Sequence, residues 1–117
     1  MSDSPVKDKS YKFAIRIVNV YKHLTETKRE YVMSKQMLRS GTSVGANIRE
    51  ANQAESKADF IHKMSIALKE ASETEYWLEL LLDTRFLEQK EFDSLQKDCE
   101  EVLKLLTSII KTSKQNK

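Results

Sequence analysis

Glycine and proline, the residues that most readily interrupt regular backbone, occur only three times in this 117-residue chain, as Pro5, Gly41 and Gly45. A fold of many short strands needs frequent turns, and turns draw heavily on those two residue types. This chain cannot supply them. It supplies instead apolar residues at helical spacing. Phe13, Ile17, Val20 and Leu24 recur at steps of four, three and four, with Ala14, Val18 and Tyr21 beside them, which predicts a first helix over about 9–25. Met37, Val44, Ile48 and Ala51 keep register through a second, over about 31–54. The third opens on Ser56-Lys57-Ala58-Asp59, a capping-box pattern in which serine and acid satisfy each other's orphan amides. Phe60, Met64, Ala67, Leu68, Ala71, Leu78 and Leu82 then keep one face apolar. The fourth is a heptad ladder of Phe92, Leu95, Cys99, Val102, Leu106 and Ile109.

The connections, Glu26–Glu30, the vicinity of Glu55 and Thr84–Lys90, are short. Short links between long helices make neighbours antiparallel, so the expected fold is all-α, an up-down four-helix bundle. One domain over 9–112 is expected, with polar tails at 1–8 and 113–117. Twenty basic against 18 acidic residues give a net charge of only +2, far from a committed DNA-binding footprint. The apolar runs are too short and too interrupted by charge to span a bilayer, and Met1–Ser10 lacks the apolar centre of a signal peptide. A cytoplasmic setting is the expectation. The single cysteine, Cys99, excludes an internal disulfide and a cysteine metal cluster.

Helix three carries apolar residues outside its core stripe: Ile61, Ile66, Trp77, Leu80 and Leu81. Helix four adds Leu103, Leu105 and Ile110. A bundle helix needs an apolar stripe only about 100° wide, so Ile61, Ile66, Trp77 and Leu81 are candidates for an oligomer interface. The alternative is that Trp77 and its neighbours tuck beneath a loop.

Both glycines lie in "LRSGTSVGANIREA", residues 38–51. A phosphate loop would need a lysine and hydroxyl at fixed spacing after the glycines and a strand before them, and neither is present. As helix the stretch is orderly. Gly41 falls in the column Met37–Gly41–Val44–Ile48–Ala51, and the two glycines, four apart, face one side. Each costs about 1 kcal/mol relative to alanine in a helix interior, which close packing or a bend near Gly45 would offset. A break at Gly45 is the competing arrangement. Gln36, Ser40, Ser43, Asn47 and Glu50 form a polar column beside the apolar one, bordered by Arg39. It fits either a partner groove or polar groups satisfied within the bundle.

"LRSGTSVGANIREA", "SKADFIHKMSIAL" and "ASETEYWLELL" closely resemble the four-helix-bundle family encoded in intervening sequences of bacterial 23S ribosomal RNA genes. The matching positions are Arg39, Ser43, Asn47, Ile48 and Glu50 in helix two, and Ser56, Phe60, Ala67, Leu68, Glu73, Glu75 and Leu78 in helix three. Many members carry proline where this chain has Gly45, which fits a bend. Departures are Lys69-Glu70, where a small pair is common, and Tyr76-Trp77, where smaller polar residues are usual. The resemblance implies a bundle that assembles as a ring-like homopentamer. The family is also similar to the accessory protein of diversity-generating retroelements, a basic pentamer that engages nucleic acid and a reverse transcriptase.

Chemistry for catalysis is thin. Asp59 and His62 have acid-x-x-His spacing, but a di-iron bundle needs two such motifs, and His23 has Val20 in the matching place. Cys99 sits on the apolar ladder, where a small buried hydrophobe is the common explanation. Neither metal nor cofactor is expected. Glu70, Glu73, Glu75 and Glu79 suit a solvated face, with pairing of Glu73 to Arg39 across the helix two–three seam as the alternative for Glu73. Lys7, Lys9, Lys12 and Arg16 cluster at one end of the chain, and Lys111, Lys114 and Lys117 at the other. An antiparallel bundle of four gathers both ends together, so Lys7, Lys9, Lys12, Arg16, Lys111 and Lys114 are candidate nucleic-acid contacts or a solvated tail. The family resemblance and the basic end together imply a non-enzymatic, oligomeric protein that binds RNA or DNA weakly or serves a nucleic-acid-handling partner. A protein-interaction scaffold with no nucleic-acid role is the alternative.

Overall fold

The computed structural model describes residues 4–116, and they form four helices joined by short turns: α1 (Pro5–Glu26), α2 (Met33–Ala51), α3 (Lys57–Asp83) and α4 (Gln89–Gln115). Each packs against its two neighbours around an antiparallel up-down bundle, with the α1–α4 seam the thinnest. Residues 1–3 and Lys117 lie outside the described residues. Among those described, no helix is long and apolar enough to cross a membrane.

The ends of the helices follow local chemistry. Ser4 caps α1 by accepting the Lys7 amide, and Pro5 occupies the first turn, where its missing N–H costs nothing. Ser56 caps α3 through the Asp59 amide at 3.1 Å. Val32, at the head of α2, offers no side-chain cap; Glu30 does the work from two residues upstream. Its carboxylate accepts the amides of Val32, Met33 and Ser34 at 3.1, 3.0 and 2.7 Å, while Ser34 Oγ donates back to the Glu30 carbonyl at 2.7 Å. Burial pushes the Glu30 carboxyl upward, but the three backbone donors outweigh it and hold the group below the usual carboxylate range. α1 and α3 both end beside an arginine in the left-handed region, Arg29 and Arg85, where glycine is the usual choice.

The core divides into two apolar layers. Phe13, Ile17, Leu24, Met37, Leu78, Leu81 and Leu95 belong to one, and Val6, Val44, Ile48, Met64, Ala71, Val102 and Leu106 to the other. Along α2 and α3 they meet at Ser40 and Thr74, whose hydroxyls lie 2.8 Å apart and are fully buried. Thr74 Oγ1 also lies 2.8 Å from the Glu70 carbonyl, and Ser40 Oγ 3.3 Å from that of Met37. No polar atom of the pair is stranded, as burial demands.

Four expectations need correction. The tail expected at 1–8 is helical from Pro5, because Ser10 and Val6 extend the α1 stripe by two turns and are buried. The tail at 113–117 continues α4 to Gln115. α4 closes its ladder with a step of four, burying Ile110 in place of Ile109. Leu81, offered as an interface residue, is fully buried, and Leu82 is only half-buried. The α3 ladder runs Met64–Ala67–Ala71–Thr74–Leu78–Leu81, and its period is visible only when polar Thr74 is admitted. Both seams of α3, with α2 and with α4, are broader than the α1–α4 seam, so its apolar face is wide.

α2 runs unbroken through both glycines, so there is no break at Gly45. Gly41 marks a close approach: a β-carbon there would lie 2.8 Å from Ile17 Cγ2 and 3.0 Å from Cγ1. At Gly45 the nearest atom, Ser10 Oγ, would be 3.5 Å away, which is ordinary contact.

Candidate functional site

The polar column of α2 faces α3. Arg39 reaches across the seam, with Nη2 donating to Glu73 Oε2 at 2.6 Å and Nη1 to Glu70 Oε2 at 3.2 Å. Trp77 Nε1 donates to the same Glu73 oxygen at 3.0 Å. The indole hydrogen bond, then that of Arg39, holds the Glu73 carboxyl below its ordinary range. Glu73 and Glu70 in turn raise the guanidinium. Arg39 is half exposed, so the pair orients groups more than it stabilises them. Glu70 Oε1 is buried with no donor among the described residues, a cost this network carries.

The rest of the column turns inward on its own helix. Ser43 Oγ donates to the Arg39 carbonyl at 2.6 Å, and Asn47 Nδ2 to that of Ser43 at 2.9 Å. Glu50 pairs with Lys63 of α3 at 2.8 Å. Ser43 and Asn47 are half-buried and engaged with backbone, an arrangement that serves packing along the seam. The helix-three glutamates do not form one solvated face. Glu70 and Glu73 serve α2, while Glu75 leans toward α4, its carboxyl raised by burial and by Glu79 and Glu100.

The remaining interface candidates are largely absorbed. Ile61 packs against one core layer and Trp77 against the other, where it meets Tyr76 edge-on with ring centroids 5.0 Å apart. Ile66 is half-buried. The large apolar residues that stay exposed are different: Tyr11, Ile15, Tyr31, Val32 and Tyr76. Tyr11 and Ile15 lie off the Phe13–Ile17 stripe of α1, and Tyr31 and Val32 lie in the turn before α2.

The chain ends do meet at one end of the bundle, since α1 enters and α4 leaves there. Two of the expected basic contacts are neutralised within it. Lys9 pairs with Glu101 at 3.1 Å, and Arg16 with Asp98 at 2.6 Å, also donating to the Ser94 carbonyl. These bonds tie α1 to α4 along their thin seam. Lys7, Lys12, Lys111 and Lys114 have no ion pair among the described residues, and Lys12, Lys111 and Lys114 are exposed. Lys117 falls outside them. α2 ends at the same end and adds Arg49, which sequence inspection passed over. Its guanidinium lies 5.4 Å above the Tyr11 ring. The i to i+3 relation of Ala46 and Arg49, on the flank of α2 facing α1, was the available signal.

Cys99 is fully buried, with Sγ 3.4 Å from the Ala71 carbonyl. Desolvation first, then Glu75, Glu100 and Asp98, push its thiol up to about 12. A nucleophilic cysteine needs the opposite, a depressed pKa and access.

A family model described as 23S rRNA-intervening sequence protein matches residues 2–108. Among solved structures, this chain is similar to a protein of unknown function from the S23 ribosomal protein family of Bacteroides thetaiotaomicron. That crystal structure is 62% identical, covers 95% of this chain and 99% of its own, and superposes with a TM-score of 0.92. No curated protein matches.

Proposed function

The chain belongs to the 23S rRNA-intervening sequence protein family, and on that footing we propose that it is a non-enzymatic, oligomeric helical protein whose basic end engages RNA or DNA. The observation that carries the proposal is the division of labour among its cations. Lys9 and Arg16 are tied to α4, whereas Lys7, Lys12, Lys111 and Lys114 have no ion pair among the described residues, toward the shared end of the bundle. Lysines gathered at one end attract phosphate without sequence preference, through counterion release. The buried, protonated Cys99 supports the non-enzymatic part of the reading.

Self-association as a homopentamer belongs to the same proposal. It draws on the family resemblance and on the exposed Tyr31 and Val32, which sit at the opposite end of the bundle from the lysines. A ring formed away from the basic end would repeat that end on one face and multiply its field. Titration of labelled structured RNA at low and moderate salt tests the first part. Binding should weaken steeply with salt, and Lys111→Ala/Lys114→Ala should lower both affinity and slope. Micromolar protein without signal at low salt would overturn it. Light scattering tests the second, where a mass of 13.6 kDa would contradict assembly.

A further inference from the structure

The outer seam between α1 and α2 forms a groove of about 290 Å³ at the basic end of the bundle. Among the described residues its lining includes two cations, Lys7 and Arg49, and no carboxylate. Neither cation has an ion-pair partner among the described residues. Tyr11, 56% exposed, lines the same groove with Arg49 over its ring. The walls beneath are small, Ala14 and Ala46, and Thr42 offers a hydroxyl at the edge. Thr42 Oγ1 donates to the Leu38 carbonyl at 2.7 Å, which leaves its lone pairs as acceptors.

A groove of this composition suits a ligand that is planar on one side and anionic on the other. An exposed tyrosine backed by a guanidinium is a stacking surface for a base, and unpaired cations on the rim suit the phosphates that flank it. A duplex keeps its bases stacked inside and offers only its backbone, whereas a single strand can turn a base outward. We propose that the α1–α2 groove is a single-strand-selective nucleic-acid subsite, with Tyr11 stacking on an unpaired base and Lys7 and Arg49 holding the adjoining phosphates. The inference rests on the protein being a nucleic-acid binder and adds where the strand lies and which form of it is chosen.

Labelled oligouridylate and an RNA duplex of equal length, titrated against wild type, Tyr11→Ala, Tyr11→Phe and Arg49→Gln, test it. Stacking is worth enough that Tyr11→Ala should weaken single-strand binding roughly tenfold or more, with the salt slope unchanged. Tyr11→Phe should bind as wild type, and Arg49→Gln should lower the slope by about one. Duplex affinity should stay the same in Tyr11→Ala. Equal single-strand affinity in wild type and Tyr11→Ala would overturn the subsite while leaving the basic end as the binding surface. Loss of duplex and single-strand binding together in Tyr11→Ala would overturn it too. A wild type that binds neither probe removes the nucleic-acid reading itself. A Tyr11→Ala variant with lower light-scattering mass and unchanged RNA affinity assigns the groove to a second copy of the chain. Thermal melts of the variants establish that each is folded, as expected for an exposed tyrosine and arginine.

Discussion

Gly41 and Gly45 lie one helical turn apart on the same side of α2, and alanine at each should change stability in opposite directions. Helix propensity alone favours both substitutions by about 1 kcal/mol. The surroundings decide the rest. At Gly41 the new methyl would sit 2.8, 3.0 and 3.3 Å from Ile17 Cγ2, Cγ1 and Cβ. Carbon atoms pack comfortably at about 3.5–4.0 Å, so all three contacts are too short. Ile17 is fully buried and β-branched, which fixes its χ1 in a helix, and its Cβ cannot rotate away in any case. The α1–α2 spacing must widen instead, at a typical overpacking cost of about 1–3 kcal/mol. Gly41→Ala should therefore be neutral to about 2 kcal/mol destabilising. At Gly45 the nearest atoms lie 3.5–3.8 Å away, so Gly45→Ala should stabilise by about 0.5–1 kcal/mol. Urea unfolding at one protein concentration measures the difference, since any oligomer makes midpoints concentration-dependent. The cycle with Ile17 sharpens the test. Ile17→Ala removes both γ-carbons, so Gly41→Ala should stabilise on that background; Ile17→Val keeps them and should not rescue. The reasoning is refuted if Gly41→Ala stabilises as much as Gly45→Ala, or if Ile17→Ala leaves its sign unchanged.

Glu30→Gln should cost about 1–2 kcal/mol, the usual worth of a helix cap, because the amide presents one acceptor oxygen to three backbone amides. Since the folded Glu30 pKa lies below its unfolded value, its contribution is present above about pH 4.5 and is lost as pH falls through the folded pKa; melts over the acid range should show wild type and Glu30→Gln converging. Cys99 should resist a thiol reagent at pH 8 in the folded protein and react at once in denaturant, and fast labelling of native protein would contradict its burial. Thr74→Val should destabilise by about 0.5–1.5 kcal/mol, because Ser40 then keeps only its 3.3 Å bond to the Met37 carbonyl, whereas Ser40→Ala/Thr74→Val should recover most of that loss, with chemical denaturation reading both.

Helix number, order and antiparallel direction were legible in the sequence because apolar period and short connections depend only on the local chain. The core column Met37–Gly41–Val44–Ile48–Ala51 was legible for the same reason, as was the burial of Cys99. The sequence also offered the pairing of Arg39 with Glu73 as an alternative, since both lie on polar flanks of adjacent helices. It could not say that Glu30, outside any helix, would cap α2, because that depends on the turn folding back onto Ser34. It could not separate Leu81 from Leu82, since both are leucines and only the neighbours of α3 choose which faces inward. Nor could it show that Lys9 and Arg16 are neutralised by α4, or that Arg49 lies over Tyr11, because each pairing joins residues far apart in the chain. Periodicity determines which face of a helix is buried. Only the packed bundle decides which helix meets that face, and so which charges and rings are left exposed.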